Sequence, residues 1–319
     1  ASAIPLIDLK PFLEDKEGKS SVVHEVTRAC QEIGFFAITN HGVDCSSSSS
    51  VMTDIWTASA AFFDLSESEK KEASSDNTAE YPYGYEQSEN LELAKTGSKS
   101  QVDLKETFSV GPSNPDSGMP QRRVPSKPAD FERAITAYYQ SMEKLALKLL
   151  QIMALGLDLP QNWFVDKMGH HSSALRLLNY PNLNEPAHPG QLRAGAHTDY
   201  GALTILKSGG PGLQVKRDKT SDSWVDVPTF DSNNVFIINL GDMMQRWTND
   251  KWVSTLHRVV VPPYDGQNHR RQSIAFFVNI NGDANVEALS TCVDVEHPAK
   301  YKPITAGHYV LKKYLKSMG

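Results

Sequence analysis

The segment Gly195-Ala196-His197-Thr198-Asp199-Tyr200-Gly201 decides how this chain is read. On an extended strand, residues i and i+2 share a face, so the His197 imidazole and the Asp199 carboxylate converge. Alone, the pair equally describes a surface histidine beside a solvated aspartate. A second histidine follows Asp199 by 58 positions, in the strand-like run Ser254-Thr255-Leu256-His257-Arg258-Val259. Two imidazoles and one carboxylate form the ligand set that leaves half of an octahedral iron(II) open. Fourteen residues after His257, Arg271-Gln272-Ser273 opens the apolar run Ser273-Ile274-Ala275-Phe276-Phe277-Val278. There Arg271 and Ser273 share a face, and a guanidinium fork beside a hydroxyl suits the far carboxylate of a metal-chelating keto-diacid.

Outward from this core, residues 174–280 alternate short β-rich runs with Gly/Pro/Asn turns, the spacing of a sandwich or barrel. Toward the N-terminus, Ile4–Asp8 reads as an opening strand and residues 20–33 as a helix. Phe35–Thr39 reads as a buried strand and 51–65 as a second helix. The serines Ser46–Ser50 read as a helix start or solvated turn. Residues 131–155 give the longest helix, stopped near Gly156, and a last helix spans 304–317. Residues 73–130, rich in Ser, Pro, Asn, Gly and charge, predict an irregular lid over the site mouth. The fold class is α+β, with residues 1–130 an N-terminal region integral to the fold. Residues 131–319 carry the long helix, the β-core and the C-terminal helix, and the whole is one catalytic unit.

Bulk properties restrict the partners. A net charge of −6, without a Lys/Arg cluster, excludes a polyanion-binding surface, so no nucleic acid is expected. No run of 18 apolar residues is present, so no membrane span is expected. Three scattered cysteines without a C-x-x-C pair and an N-terminus without a signal-peptide pattern point to a cytoplasmic protein with free thiols. A monomer acting on a small molecule is expected.

Several motifs carry a resemblance over nearly the whole chain. His197-Thr198-Asp199, Asn239-Leu240-Gly241-Asp242, Trp247-Thr248-Asn249-Asp250, His257-Arg258-Val259 and Arg271-x-Ser273 occur in the order found in the iron- and 2-oxoglutarate-dependent oxygenases related to isopenicillin N synthase. Ile4–Asp8 and Gly34–Gly42 resemble that family's N-terminal region. The resemblance implies a distorted double-stranded β-helix, or jelly roll, with flanking helices. It implies iron(II) on His197, Asp199 and His257, 2-oxoglutarate on Arg271 and Ser273, and O2 as oxidant. Leu178-Asn179-Tyr180-Pro181 resembles the family's Asn-Tyr-Tyr-Pro strand with Asn one position late, which carries over only Tyr180 to the co-substrate pocket. Gly241 reads as a turn glycine and Asp242 as a cap for backbone donors.

Alternation in Leu175–Tyr180 puts Arg176 on the face of Tyr180, as a substrate contact or half of an internal salt bridge. With Arg193, Tyr200 and Phe277 it makes up the expected substrate end, and these residues resemble the branch that includes thymine 7-hydroxylase. A biosynthetic oxidation of an amino-acid-derived carboxylic acid is the preferred reading. A nucleobase methyl hydroxylase and a 2-oxoglutarate-independent oxidase of the isopenicillin N synthase type are the alternatives. A zinc hydrolase and a non-catalytic binding module are the competitors outside the class. His24, His41, His170 and His171 lack the spacing of ligands.

Overall fold

Two facing sheets with helices behind the larger one make up the computed structural model, which describes residues 4–14, 17–45, 50–74, 83–87, 103–114, 119–183, 185–217, 222–230, 234–267 and 269–317. The large sheet runs in the order β1 (Leu6–Asp8), β2 (Phe35–Thr39), β10 (Phe236–Leu240), β7 (Leu203–Ser208), β12 (Arg271–Val278), β5 (Ala174–Tyr180), β4 (Glu106–Val110), β3 (Gly84–Glu86). The small sheet runs β6 (Leu192–His197), β11 (His257–Val260), β8 (Leu213–Val215), β9 (Val225–Asp226). β1 pairs parallel to β2, and every other neighbouring pair in the two sheets is antiparallel. This is the expected jelly-roll sandwich.

Strand alternation explains the layering. In β2 all four of Phe35, Phe36, Ala37 and Ile38 are fully buried, because Phe35 and Ala37 face the small sheet while Phe36 and Ile38 face the helices. A strand covered on both faces reads as an unbroken apolar run, which is what the sequence shows. In β12, Ile274, Phe276 and Val278 pack toward the helices, whereas Arg271, Ser273, Ala275 and Phe277 line the cavity between the sheets.

Helices α1 (Lys10–Leu13), α2 (Lys19–Glu32), α3 (Val51–Phe63), α4 (Glu67–Lys71) and α5 (Phe131–Gly156) come from the first half of the chain. α2, α3 and α5 share the apolar layer behind the large sheet. α5 buries Ile135, Tyr138, Met142, Leu145, Leu149 and Met153, spaced three and four apart on one face. Truncating Leu149 to alanine there removes about 2–5 kcal/mol. The helix ends where α2 passes close by: a Cβ on Gly156 would lie 2.2 Å from Thr27 Oγ1. α3 starts on the serine run as expected, with Ser50 Oγ accepting the Thr53 amide at 3.2 Å, while Ser46–Ser49 lie outside the described residues. The chain closes with the pair β13 (Asn285–Val286) and β14 (Ile304–Thr305), the short helix α6 (Asp242–Trp247) having preceded β11, and then α7 (Ala306–Ser317).

Part of the segment 73–130, expected as a lid, is described and includes two strands. Tyr83–Tyr85 and Glu106–Phe108 contribute to β3 and β4 at one end of the large sheet, where Tyr85 and Phe108 pack their rings on Phe62 at 6.0 and 5.0 Å. These strands are three and five residues long, and β4 buries the polar Thr107 and Ser109, so their period stays below what a sequence pattern reveals. Residues 75–82, 88–102 and 115–118 of that segment lie outside the described residues. Among the described residues, no helix is long and apolar enough to cross a membrane.

Candidate metal centre and co-substrate pocket

β6 ends and β11 begins side by side, so His197 and His257 are direct cross-strand partners with ring centroids 4.3 Å apart. Asp199 lies just beyond β6, with Oδ1 at 3.7 Å from Nε2 of each histidine. One ligand atom from each residue falls within 4.8 Å of the others. Nδ1 of His197 lies 2.7 Å from the Gly195 carbonyl and Nδ1 of His257 lies 3.1 Å from the Thr255 carbonyl. Each imidazole therefore donates from Nδ1 and presents the Nε2 lone pair to the centre. Asp199 Oδ2 accepts hydrogen bonds from Thr204 Oγ1 at 2.5 Å and Asn239 Nδ2 at 2.7 Å, which leaves Oδ1 for a metal.

The electrostatics favour the ligand-competent protonation states. Burial, then the neighbouring His257, push His197 well below its ordinary value, so it stays neutral. Burial alone would raise Asp199, but His257, His197, Asn239 and Thr204 together hold it below the ordinary carboxylate value. A neutral imidazole at His197 and an ionised carboxylate at Asp199 bind a divalent cation without first losing protons.

A close backbone approach supports the loop. A Cβ on Gly241 would lie 2.1 Å from the Gly201 carbonyl oxygen, and the Asp242 amide donates to the Asp199 carbonyl at 2.7 Å. The φ of Gly241 is −94°, so the expected turn role is replaced by one of close approach. The Asp242 carboxylate accepts the Thr198 hydroxyl at 3.0 Å and pairs with Lys313 at 2.5 Å, in place of the expected backbone cap.

Deeper in the cavity, Arg271 stands opposite Tyr180 in the β12–β5 register, and Ser273 stands opposite Leu178. Arg271 is 4% exposed. It donates to Ser273 Oγ at 2.7 Å, to Ser208 Oγ at 2.8 Å and to the Gly210 carbonyl at 3.2 Å, with its guanidinium 4.9 Å from the Tyr180 ring centre. Burial lowers its pKa, opposed by Tyr180, but a guanidinium stays charged. Among the described residues no carboxylate lies within ion-pair distance of it. A buried cation facing a cavity without an acidic partner matches the far carboxylate of 2-oxoglutarate.

The four expected substrate residues divide into two pairs. Arg176 and Phe277 line the cavity, with the guanidinium 5.7 Å from the ring centre and Arg176 Nε donating to Ser109 Oγ at 2.9 Å. Arg193 and Tyr200 are not among the lining residues. Arg193 donates to the His269 carbonyl and lies 5.9 Å from the Tyr180 ring, while the Tyr200 ring lies 5.5 Å from Lys313 Nζ. The cause at Arg193 is an irregularity in β6: His197 pairs with His257 but Ala194 pairs with Val259, three residues against two. Such a bulge switches the inward-facing set, so Ala194 lines the cavity. His41 packs on Phe236 at 4.5 Å, His171 binds Glu143 at 2.9 Å, and neither they nor His24 and His170 join the metal group. Thr204 and Ser208 were not found by sequence reasoning, nor was the contact of Asn239 with Asp199. No local signal marks the first two, whereas Asn239 stood within a quoted motif.

A jelly roll with two histidines and an aspartate at adjoining strand ends, and a buried Arg/Ser pair further in, defines an iron(II) oxygenase that uses a keto-diacid. Comparison with known proteins agrees. Residues 4–130 match the family described as non-haem dioxygenase in morphine synthesis N-terminal, and residues 172–280 match the 2OG-Fe(II) oxygenase superfamily. The 2-oxoglutarate-dependent dioxygenase traH of Penicillium crustosum is 35% identical over 268 residues, 81% of this chain and 79% of that protein. Proline hydroxylase buaE of Petromyces alliaceus is 29% identical over 323 residues, 98% of each chain. A full-length Neurospora crassa protein crystallised in complex with alpha-KG and thymine superposes with a TM-score of 0.85 at 28% identity, covering 98% of this chain and 96% of that one. The chain belongs to the 2OG-Fe(II) oxygenase superfamily and is an iron(II)- and 2-oxoglutarate-dependent dioxygenase.

Proposed function

We propose that the chain oxidises an unactivated C–H bond of an amino-acid-derived carboxylic acid in a biosynthetic pathway, by hydroxylation, desaturation or oxidative cyclisation. In this reading His197, Asp199 and His257 hold iron(II), and Arg271 with Ser273 grips the far carboxylate of 2-oxoglutarate against Tyr180. Iron(II) with bound 2-oxoglutarate supplies O2 activation. The protein's own part is placement: Asn239 and Thr204 aim Asp199, and Ser208 and the Gly210 carbonyl fix the plane of the Arg271 guanidinium. Arg176 and Phe277 form the substrate end, where holding the right C–H near the metal selects the outcome. The observation that carries the iron(II) and 2-oxoglutarate part of the reading is the triad in one cavity with Arg271, which faces no carboxylate among the described residues. We read the whole chain as one catalytic unit, because strands from residues 1–130 lie in the same sheet as β5, β7, β10 and β12. We also read it as cytoplasmic, a reading that its free cysteines support, and as a monomer.

The nucleobase alternative is favoured by one observation, the Arg176–Phe277 pair, which could stack a planar ring and address its carbonyl. The thymine complex of the Neurospora crassa protein is in keeping with it. A succinate-release screen over carboxylic acids and nucleobases, with mass spectrometry of products, separates the two. Turnover of thymine in preference to every acid overturns the first reading. An Asp199→Ala protein that consumes 2-oxoglutarate at the wild-type rate overturns both.

A further inference from the structure

The C-terminal helix reaches the loop that carries Asp199. α7 is seated at its start by two backbone bonds, the Ala306 amide donating to the Ala284 carbonyl at 2.9 Å and the Gly307 amide to the Gly282 carbonyl at 2.8 Å. Tyr309 and Lys313, four residues apart, share one side of this helix. They meet Arg246 and Asp242, also four apart, on α6. Lys313 Nζ lies 2.5 Å from Asp242 Oδ2, and the Arg246 guanidinium lies 5.5 Å from the Tyr309 ring centre. Two rungs thus join the helices, and none of the four residues is among those lining the metal cavity.

Asp199 sits between the two side chains that this contact holds. Asp242 Oδ2, which receives Lys313, also accepts the Thr198 hydroxyl at 3.0 Å. Lys313 Nζ itself stands 5.5 Å from the centre of the Tyr200 ring, within cation–π reach. One ammonium therefore touches the residue after the metal-binding aspartate directly, and the residue before it through Asp242. The backbone completes the tie: the Asp242 amide donates to the Asp199 carbonyl at 2.7 Å and the Met243 amide to the Gly201 carbonyl at 3.2 Å. The Lys313 and Asp242 side chains are 29% and 15% exposed, so the pair is drier than an ordinary surface ion pair. Removing the ammonium leaves a mostly buried carboxylate short of its counter-charge. That carboxylate then turns toward water, and its hold on Thr198 weakens.

We propose that Lys313 is a positioning residue for the metal centre: by fastening Asp242 and Tyr200 it fixes the loop 198–201 and, through that loop, the direction of the Asp199 carboxylate. α7 then belongs to the metal site although it supplies no ligand. This rests on the iron(II) reading of His197, Asp199 and His257. Thr204 and Asn239 hold the carboxylate oxygen itself, whereas Lys313 holds the backbone segment that carries it.

The test compares Lys313→Met, Lys313→Arg and Lys312→Met in the full chain. Lys312 is exposed, so its loss removes the same charge from the same helix without breaking the contact. Hydrogen exchange of the metal-free protein is followed over residues 198–204 and 240–244, and iron(II) affinity by anaerobic titration against a chelator. In Lys313→Met, exchange over both segments should be at least about threefold faster. Loss of a group that orients a metal ligand weakens binding about 10–100-fold, and Lys313 acts one residue further out, so the iron(II) Kd should rise about threefold to tenfold. Lys313→Arg should bring both readouts to within about twofold of wild type, and Lys312→Met should move neither. Asp242→Asn combined with Lys313→Met should weaken iron binding by less than the product of the two single effects, since both act along one path. Unchanged exchange in Lys313→Met, faster exchange with unchanged or tighter iron binding, an equal effect of Lys312→Met, or full multiplication in the double variant overturns the proposal. A wild-type protein that binds no iron(II) would instead refute the metal reading beneath it.

Discussion

Replacing Asn239 by leucine should loosen the metal without touching the co-substrate pocket. Asn239 is 2% exposed and donates to Asp199 Oδ2 at 2.7 Å. Leucine preserves its volume and removes the donor. A hydrogen bond to a charged acceptor contributes about 1.5–3 kcal/mol, and loss of a partner that orients a ligand typically weakens metal binding about 10–100-fold. Thr204 still holds the same oxygen at 2.5 Å, so the single variant belongs near tenfold. Adding Thr204→Val frees the carboxylate to rotate and moves the loss toward a hundredfold. Because both donors address one oxygen, the double-variant effect should exceed the sum of the singles. The assay is anaerobic iron(II) titration against a chelator, with 2-oxoglutarate affinity measured at saturating iron as the control. Wild-type iron affinity in the double variant, or weakened 2-oxoglutarate binding with unchanged iron affinity, would refute the reasoning.

Two further outcomes probe the scaffold. Gly241→Ala should destabilise by about 3 kcal/mol or more, since its Cβ meets the Gly201 backbone at 2.1 Å and neither chain can yield alone. Gly169→Ala, with no neighbouring atom within 4 Å, is the control in thermal unfolding, and equal melting temperatures for the two would dismiss the close-approach argument. Burial, helped by the charge of Lys207, lowers His41 to about 4, so the folded protein keeps it neutral. Between its ordinary value near 6.5 and about 4 the unfolded chain takes up a proton that the folded one does not. That contribution, at most about 3 kcal/mol, is complete above pH 6.5 and disappears as the pH falls toward 4. Denaturant unfolding across this range should show a shallower pH slope for His41→Gln than for wild type, and identical slopes would remove the assignment.

What could be read from residues alone was whatever depends on parity within one strand. His197 with Asp199, Arg271 with Ser273, and Arg176 with Tyr180 each lie two or four positions apart, and an extended backbone places such pairs on one face whatever surrounds them. Buried runs such as Phe35–Ile38 and the spacing of α5 were legible for the same local reason, and so the sandwich with helices behind it was foreseen. Contacts set by partners distant in the chain were not. Arg193 leaves the cavity wall because between His197 and Ala194 β6 carries one residue more than β11 across from it, and nothing near Arg193 encodes that mismatch. Lys105 joins the metal cavity only because β4 pairs with β5 and Asp103 ties its turn to Gly195, 92 residues away. The chain's chemistry is thus written in short-range periodicity, whereas the shape and charge of the substrate end come from strand register. Many weak contacts across the sheets set that register together, and no single segment contains them.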